Sequence, residues 1–174
     1  YPSAPLPLCD IEPLESRRLL SGMVFGINAG GHTHEETDGD VFLVDQGFTG
    51  GAKHTGSKPS TGTKDPALYS TYRDGKTFSF SRKVRDGTYT LELMFYDPVN
   101  TTKGRRAMDI TAEDQTIDTN FDIVAMAGKH GAITRVYSVT VSDGRLSVGF
   151  NGTKGKALVN AIELRKGGAD VAYH

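Results

Sequence analysis

The chain has 174 residues, with 20 Lys and Arg against 21 Asp and Glu, so its formal net charge is -1 at pH 7. This length allows one domain with a hydrophobic core, and the near-zero charge argues against a nucleic-acid partner. Apolar residues make up 37% of the chain, and no apolar run approaches the roughly 18 residues that a spanning helix requires, so we expect no membrane insertion. Cys9 is the only cysteine, which excludes an internal disulfide and leaves an inert thiol or, less favoured, a link to a second chain.

Residues 1–22 are predicted to be an extended tail. Prolines remove backbone donors and favour extended structure, and four of them lie here: Pro2, Pro5, Pro7 and Pro13. The tail also carries six apolar side chains that we expect to dock on their own domain or on a neighbouring copy. These residues are Leu6, Leu8, Ile11, Leu14, Leu19 and Leu20.

Residues 23–166 show the period-two alternation of short strands, and residues 167–174 read as a C-terminal tail. In TYTLELMFY, which begins at Thr88, one face carries Tyr89, Leu91, Leu93 and Phe95, and Met94 lies on the other. The predicted strands are MVFGIN from Met23, DVFLV from Asp40, TFSFSRKV from Thr77, TYTLELMFY from Thr88, AMDITA from Ala107, ITRVYSVTV from Ile133, RLSVGF from Arg145 and ALVNAIELR from Ala157. Eight or more short strands predict an all-β, double-layered fold.

Turn dipeptides punctuate these strands. We predict hairpin turns at Asp74-Gly75, Asp86-Gly87, Asn151-Gly152 and Asp143-Gly144. One segment, FDIVAMAGKHG, is predicted to hold a helical turn that Gly128 ends.

The stretch INAGGHTHEETDGD raises the question of a metal site. His32 and His34 lie on one side of an extended segment and could supply two zinc or copper ligands. The acidic residues that follow could add oxygen ligands, but their spacing does not match the twelve-residue calcium loop. They are Glu35, Glu36, Asp38 and Asp40. We favour a solvated polar loop that follows a tight turn at Gly30 and Gly31.

Motifs for enzymatic chemistry do not occur. In GAKHTGSK the order is Gly-Ser-Lys, whereas a phosphate loop requires Gly-Lys-Ser/Thr and a helix after it. No Gly-x-Ser-x-Gly elbow marks a serine nucleophile. We therefore expect no enzyme and no cofactor.

Several strings, taken in order, resemble the malectin and malectin-like domain family from about Val24 to Arg165. They are INAGG at Ile27, DGDVFLVDQGFTGG at Asp38, DPALYSTYRDGKTFSFS at Asp65, GTYTLELMFYDP at Gly87, FDI with AGKHG from Phe121, VSDGRLSVGF at Val141 and ALVNAIEL at Ala157. The resemblance implies a jelly-roll-like antiparallel β-sandwich, located outside the cell or on its surface. It also implies a module that binds glucose-type oligosaccharides without cleaving them.

The family's sugar contacts are mostly aromatic rings on loops, and this sequence departs from them. Asp74, Val99 and Asn100 stand where rings are expected, Lys154 and Lys156 stand where a late aspartate is expected, and the chain has no Trp. The guessed ligand contacts are therefore the rings and polar groups nearby, with half-buried structural tyrosines as the alternative. They are Tyr69, Tyr72, Arg73, Asp74 and Tyr96.

A second resemblance lies in the tail, where IEPLESRRLLSG is similar to the LEPRxLLS-type segment of exported bacterial surface proteins. It implies export. The alternative function is a structural subunit of a surface polymer or filament, in which the extended tail adds to the sandwich of a neighbouring copy as a donor strand.

Overall fold

The computed structural model describes residues 22–167, which form fourteen strands and two short helices. The strands are β1 (Met23–Asn28), β2 (His34–Glu35), β3 (Val41–Leu43), β4 (Phe48–Thr49), β5 (Ala52–Thr55), β6 (Thr71–Gly75), β7 (Thr77–Lys83), β8 (Gly87–Phe95), β9 (Ala107–Ala112), β10 (Gln115–Phe121), β11 (Ile133–Val141), β12 (Arg145–Lys154), β13 (Ala157–Val159) and β14 (Ala161–Lys166). A 3₁₀ helix covers Pro66–Tyr69, and α1 covers Ile123–Ala127.

The strands form three sheets. A six-stranded sheet has the order β11-β8-β14-β1-β3-β2, a five-stranded sheet has the order β10-β9-β12-β7-β4, and a small third sheet has the order β13-β6-β5. Strand pairs are antiparallel except for β1 with β3, which run parallel. The prediction of an all-β sandwich is confirmed.

The two large sheets enclose one hydrophobic core. Phe78 and Phe150, which face each other on neighbouring strands β7 and β12, stack with ring centroids 4.8 Å apart at an angle of 16°. Leu91, Leu93 and Ile162 on the opposing sheet are completely buried. Each such side chain contributes roughly 1.5–3 kcal/mol of hydrophobic stabilisation.

Strand β8 alternates as predicted, with its apolar face in this core. Its other face is only partly exposed, because Met94 is buried under the 3₁₀ helix in a second apolar cluster. That cluster consists of Phe42, Leu68, Tyr69, Met94, Tyr96 and Ala161. The outer face of the six-stranded sheet is therefore covered at this point.

The hairpin predictions are wrong at all four dipeptides. Asp86-Gly87 and Asp143-Gly144 lie where the chain passes from one sheet to another. Asp74-Gly75 forms the end of β6, which is followed by a strand of a different sheet, and Asn151-Gly152 lies inside β12. The hairpin that joins paired strands β9 and β10 turns at Glu113 and Asp114, with φ of 50° and 60°. A turn dipeptide indicates that the chain bends, but the packing of the sheets decides whether the two strands on either side of the bend pair with each other.

The predicted strand ALVNAIELR is divided in two at Asn160. β13 joins the third sheet and β14 joins the six-stranded sheet. The buried Asn160 amide accepts a hydrogen bond from the Tyr96 backbone N–H at 2.6 Å and donates to the carbonyls of Tyr69 and Thr71. One polar side chain thus satisfies backbone groups where three segments meet.

The helical-turn prediction is confirmed by α1. The Asp122 side chain accepts a hydrogen bond from the Ala125 backbone N–H at 3.0 Å and caps the first turn. Gly128 ends the helix with a φ of 81°.

The tight turn predicted at Gly30 and Gly31 is confirmed at Gly30, which has a φ of 72°. A Cβ at this position would lie 2.3 Å from the Tyr72 carbonyl oxygen, so the turn packs directly against β6. This contact fixes how the third sheet sits beside β1.

We expect Gly30→Ala to lower the free energy of unfolding by roughly 2–4 kcal/mol, since it adds a steric clash to an unfavourable backbone conformation. Gly39→Ala is the matched control, because Gly39 has a φ of 93° but no atom within 4 Å of its would-be Cβ. Its loss should be about 1 kcal/mol, from the backbone alone. Urea unfolding of both variants checks this, and equal losses would contradict it.

The predictions for the tail concern residues outside those described. They include the docking of its leucines and isoleucine, the interpretation of Cys9 and the resemblance to an export-related segment. They stay predictions.

Candidate functional site

Three of the predicted contact residues follow one another on β6. The Arg73 guanidinium binds both carboxylate oxygens of Asp45, at 2.5 and 3.1 Å. Its Cζ atom lies over the Phe48 ring, 4.9 Å from the ring centroid. It also donates to the Gly50 carbonyl at 2.9 Å. Burial alone would raise the pKa of Asp45, but the hydrogen bonds from Arg73 and the Gly30 N–H outweigh it, and the pKa lies below its usual range. Arg73 therefore connects β6 to the segments that carry Asp45 and Gly50.

Tyr72 and Asp74 flank Arg73 and are both buried. His54 of β5 stacks on the Tyr72 ring with centroids 5.2 Å apart. Its Nε2 lies 2.9 Å from an Asp74 carboxylate oxygen, close enough for an ion pair when the ring is protonated but without hydrogen-bond alignment.

Tyr69 and Tyr96 lie in the second apolar cluster. The Tyr96 hydroxyl donates to the Lys58 carbonyl at 3.1 Å, and the Tyr69 hydroxyl lies 3.5 Å from Thr134 Oγ1. Relative exposure is 6% for Tyr69, 7% for Tyr72 and 0% for Tyr96, so no ring offers an open face for stacking in this conformation. A ligand role for the five residues stays a prediction.

Neither histidine of the metal hypothesis belongs to a group of three or more potential metal ligands in the described residues. His34 Nε2 lies 2.6 Å from an Asp65 carboxylate oxygen, and the side chain of His32 is exposed. In the described residues, Glu36, Asp38 and Asp40 bring carboxylate oxygens within 4.8 Å of one another. Asp40 is also paired with Arg165, which offsets part of this negative charge.

A groove of about 430 Å³ lies on the outer face of the five-stranded sheet, where the sequence predicted no site. The register places one row of outward positions across all five strands, and every member is small. In strand order from β10 to β4, the row is Thr116, Thr111, Gly149, Ser79 and Thr49. Because these side chains are small, they leave a groove that runs across the strands.

Gly149 forms the middle of this floor. A Cβ there would lie 2.4 Å from Thr111 Oγ1, so any side chain would displace the threonine or fill the groove. Glycine inside a strand weakens a sheet, and it often marks a place where another molecule approaches the backbone closely.

A second row beside the first supplies amide and carboxylate groups. Thr77 Oγ1 donates to the Asn151 side-chain oxygen at 3.0 Å, which leaves the Asn151 amide nitrogen free to donate. Across the strand pair from Asn151, Asp109 accepts a hydrogen bond from the Asn120 N–H at 2.9 Å. These groups and the hydroxyls of Ser79 and Thr49 suit a neutral, polyhydroxylated ligand.

The groove has little that could catalyse hydrolysis. Among its lining residues in the described chain, Asp109 is the one with an ionisable side chain. Hydrolysis of a glycosidic bond ordinarily uses two carboxyl groups about 5 to 10 Å apart. The groove lining thus supplies one of the two carboxyl groups that such hydrolysis ordinarily uses.

Sequence reasoning missed the groove because its lining is divided among four strands, of which β7, β9 and β12 carry most of the residues. In each of these three strands small or polar residues alternate with buried apolar ones, as in Thr77, Phe78 and Ser79. The pattern marks the outward face but not which strands are neighbours.

Comparison with known proteins adds the following findings. The family model of the malectin domain matches residues 23–172. No curated protein matches the chain significantly. In the part of the chain that the structure describes, no helix is long and apolar enough to span a membrane.

Several solved structures share the fold. The chain is similar to Bacteroides uniformis β-glucuronidase, with 21% identity, a TM-score of 0.72, and coverage of 83% of this chain and 18% of that one. It is similar to the ANX1 ectodomain from Arabidopsis thaliana, with 14% identity, a TM-score of 0.73, and coverage of 84% and 49%. It is also similar to a chain in the structure of plant peptide RALF23 in complex with FER and LLG2, with 20% identity, a TM-score of 0.73, and coverage of 85% and 49%. The chain thus spans half or less of each neighbour.

Proposed function

The chain belongs to the malectin domain family, and from this premise we propose that it is a non-catalytic, extracellular module that binds a neutral glycan in the groove of its five-stranded sheet. The observation that carries the proposal is the row of small polar side chains over Gly149. Hydroxyl and amide groups at fixed spacing bind sugar hydroxyls in both donor and acceptor roles. The receptor ectodomains among the structural neighbours support an extracellular location.

The groove lining in the described residues offers no exposed ring face, and this restricts the mode of binding. Phe78 and Phe150 contribute to the groove, but their side chains are buried in the core and stack on each other. Hydrogen bonds, rather than stacking on a pyranose face, therefore supply most of the recognition. This favours weak binding to several sugar units of a chain over tight binding to one sugar.

Ser79→Tyr is expected to lower the affinity for the glycan by roughly tenfold or more, because the ring occupies the groove next to Gly149. Ser79 is exposed on β7, and tyrosine is a good strand former, so the fold should persist. Calorimetry with the neutral oligosaccharides that score highest on a glycan array measures the change.

The matched control is Thr88→Tyr, which places the same ring on an exposed position of the six-stranded sheet. It should bind as the unmodified protein does. If the array shows no binding by the folded protein, the proposed function is wrong. If Thr88→Tyr and Ser79→Tyr bind equally, glycan binding stands but the groove is not its site.

The ligand contacts predicted from the sequence are tested by a separate variant at Tyr72. Tyr72→Phe keeps the buried ring and removes only its hydroxyl, so a changed affinity with unchanged thermal unfolding would support a ligand role on β6. Unchanged affinity would leave Tyr72 as a packing residue.

A further inference from the structure

In the described part of the chain, the six-stranded sheet ends in β11, which has no strand on its outer side. β11 pairs with β8 over all nine of its residues, from Ile133 opposite Phe95 to Val141 opposite Gly87, without a bulge. Within residues 22–167, no other strand pairs with β11. Its outer edge therefore carries a regular row of backbone donors and acceptors that no strand of the described residues pairs with.

The other sheet edges are unsuited to pairing. β2 and β4 have two residues each, β13 has three and β5 has four. β10 is longer, but its register shifts twice along β9. Short and bulged edges resist the addition of another strand, whereas β11 is long and regular.

The side chains of β11 divide into two rows. On the inner row, Arg135 and Tyr137 both bind the Asp118 carboxylate of β10, at 2.9 and 2.7 Å, and this fixes the strand against the five-stranded sheet. The outer row is exposed and uncharged. It consists of Thr134, Val136, Ser138 and Thr140.

The open edge begins at β11 itself. Immediately before it, the Ala132 N–H donates to the Thr61 carbonyl at 2.9 Å, and Thr61 forms a parallel bridge with Gly131. The loop that carries Thr61 therefore covers the chain up to the point where Ile133 begins. Nine residues of strand remain available beyond it.

We propose that β11 pairs with β11 of a second copy of this chain, antiparallel about a two-fold axis at Tyr137, and so joins two six-stranded sheets into one. In this register Val136 faces Ser138 of the second copy and Thr134 faces Thr140, which are neutral cross-strand pairs. Arg135 faces Val139. A two-fold axis at Arg135 would instead place two guanidinium groups opposite each other, which is unfavourable.

A second copy fits this edge better than a flexible peptide for an entropic reason. Its β11 is already extended and held by β8 and by Asp118, so association does not have to order it. A flexible segment loses that conformational freedom on binding. The dissociation constant is expected to be on the order of 10 μM, since an edge-strand interface is small.

A charge-swap pair tests the register. Val136→Lys/Ser138→Lys places two lysine pairs across the interface, and Val136→Glu/Ser138→Glu places two glutamate pairs there. Each double variant alone is expected to sediment as a monomer of about 18.8 kDa. An equal mixture is expected to form a heterodimer of twice that mass, because each lysine then faces a glutamate.

Thr116→Lys/Thr119→Lys is the matched control, with the same charges at exposed positions of the neighbouring edge strand β10. It should remain a dimer, and circular dichroism should show that all variants are folded. A wild-type chain that stays monomeric well above the expected dissociation constant overturns the proposal. So does a dimer that survives both charge variants but is lost on deletion of residues 1–21, which would make the tail the interface.

Discussion

Asp97→Ala is expected to lower the free energy of unfolding by about 3–5 kcal/mol, because it leaves a buried guanidinium without its partner. Asp97 is 1% exposed and Arg106 is 5% exposed. One Asp97 oxygen lies 2.8 Å from Arg106 Nε, and the other accepts the backbone N–H groups of Val99 and Asn100. The carboxylate thus holds both ends of the 97–106 loop.

The same carboxylate should make stability fall in acid. Burial by itself would raise the pKa of Asp97. The hydrogen bonds from Arg106 and Asn100 lower it by more than burial raises it, so the pKa in the folded state lies below its usual value. The unfolded chain then takes up the proton first. Stability from this group is complete above the unfolded pKa near 3.8 and is lost as the pH falls through the folded pKa.

Urea unfolding at pH 7 and between pH 2 and 5 measures both effects. The matched control is Asp40→Ala, which removes a half-exposed carboxylate from Arg165 while Glu163 remains beside that guanidinium. Its loss should be below about 1 kcal/mol. Equal losses in the two variants would show that burial of the Asp97 pair does not decide its contribution.

Glu163→Gln is expected to stabilise the protein in alkaline solution and to have little effect near pH 5. Glu163 is 2% exposed on β14. Burial is the main reason that its pKa is raised to about 8, with the charges of Glu92, Asp40 and Glu36 adding to the rise and Arg165 opposing it. Near pH 5 the folded protein therefore holds a neutral carboxyl group, which glutamine closely resembles.

The raised pKa fixes the sign of the pH dependence. Between the unfolded value near 4.5 and the folded value of about 8, the folded state binds the proton and the unfolded state does not. The free energy of unfolding therefore falls as the pH rises through this window, by at most roughly 1.4 kcal/mol per unit. Glutamine has no proton to lose and removes this slope.

Thermal and urea unfolding at pH 5, 7 and 9 check the prediction. Glu35→Gln, an exposed change of the same kind on β2, should leave the slope in place. If Glu163→Gln runs parallel to the unmodified protein across the three pH values, the titration of Glu163 does not control stability in this range.

Asp97→Ala and Glu163→Gln change different parts of the fold. Asp97 orders a loop at the end of β8, in the string that supported the family resemblance. Glu163 lies on the outer side of the six-stranded sheet beside Arg165, away from the groove lining. Neither change should alter glycan binding by the fraction of protein that remains folded, which calorimetry on folded samples can show.

The features of the fold that the sequence could predict are those that depend on residues close together in the chain. Alternation in β8 placed Leu91 and Leu93 in the core, because successive side chains of a strand point to opposite faces whatever surrounds them. The turn at Gly30 and the end of α1 at Gly128 also followed from local backbone conformation. The family resemblance rested on the order of such local strings.

Predictions failed or missed where distant segments decide the outcome. The dipeptide Asp86-Gly87 predicts a hairpin, but the strands on either side belong to different sheets. The string ALVNAIELR predicts one strand, but the amide of Asn160 binds the backbone carbonyls of Tyr69 and Thr71 and divides it. No local pattern contains those partners.

The candidate site shows the same division. The sequence determined that this chain is an all-β member of the malectin domain family, since period-two alternation and short motifs are properties of contiguous residues. The tertiary structure alone decided that Tyr96 is buried, that Ser79 and Thr111 flank Gly149, and that β11 is the last strand of its sheet among residues 22–167. Strand order and burial arise from contacts between residues far apart in the chain, and one sequence records the residues but not which of them meet.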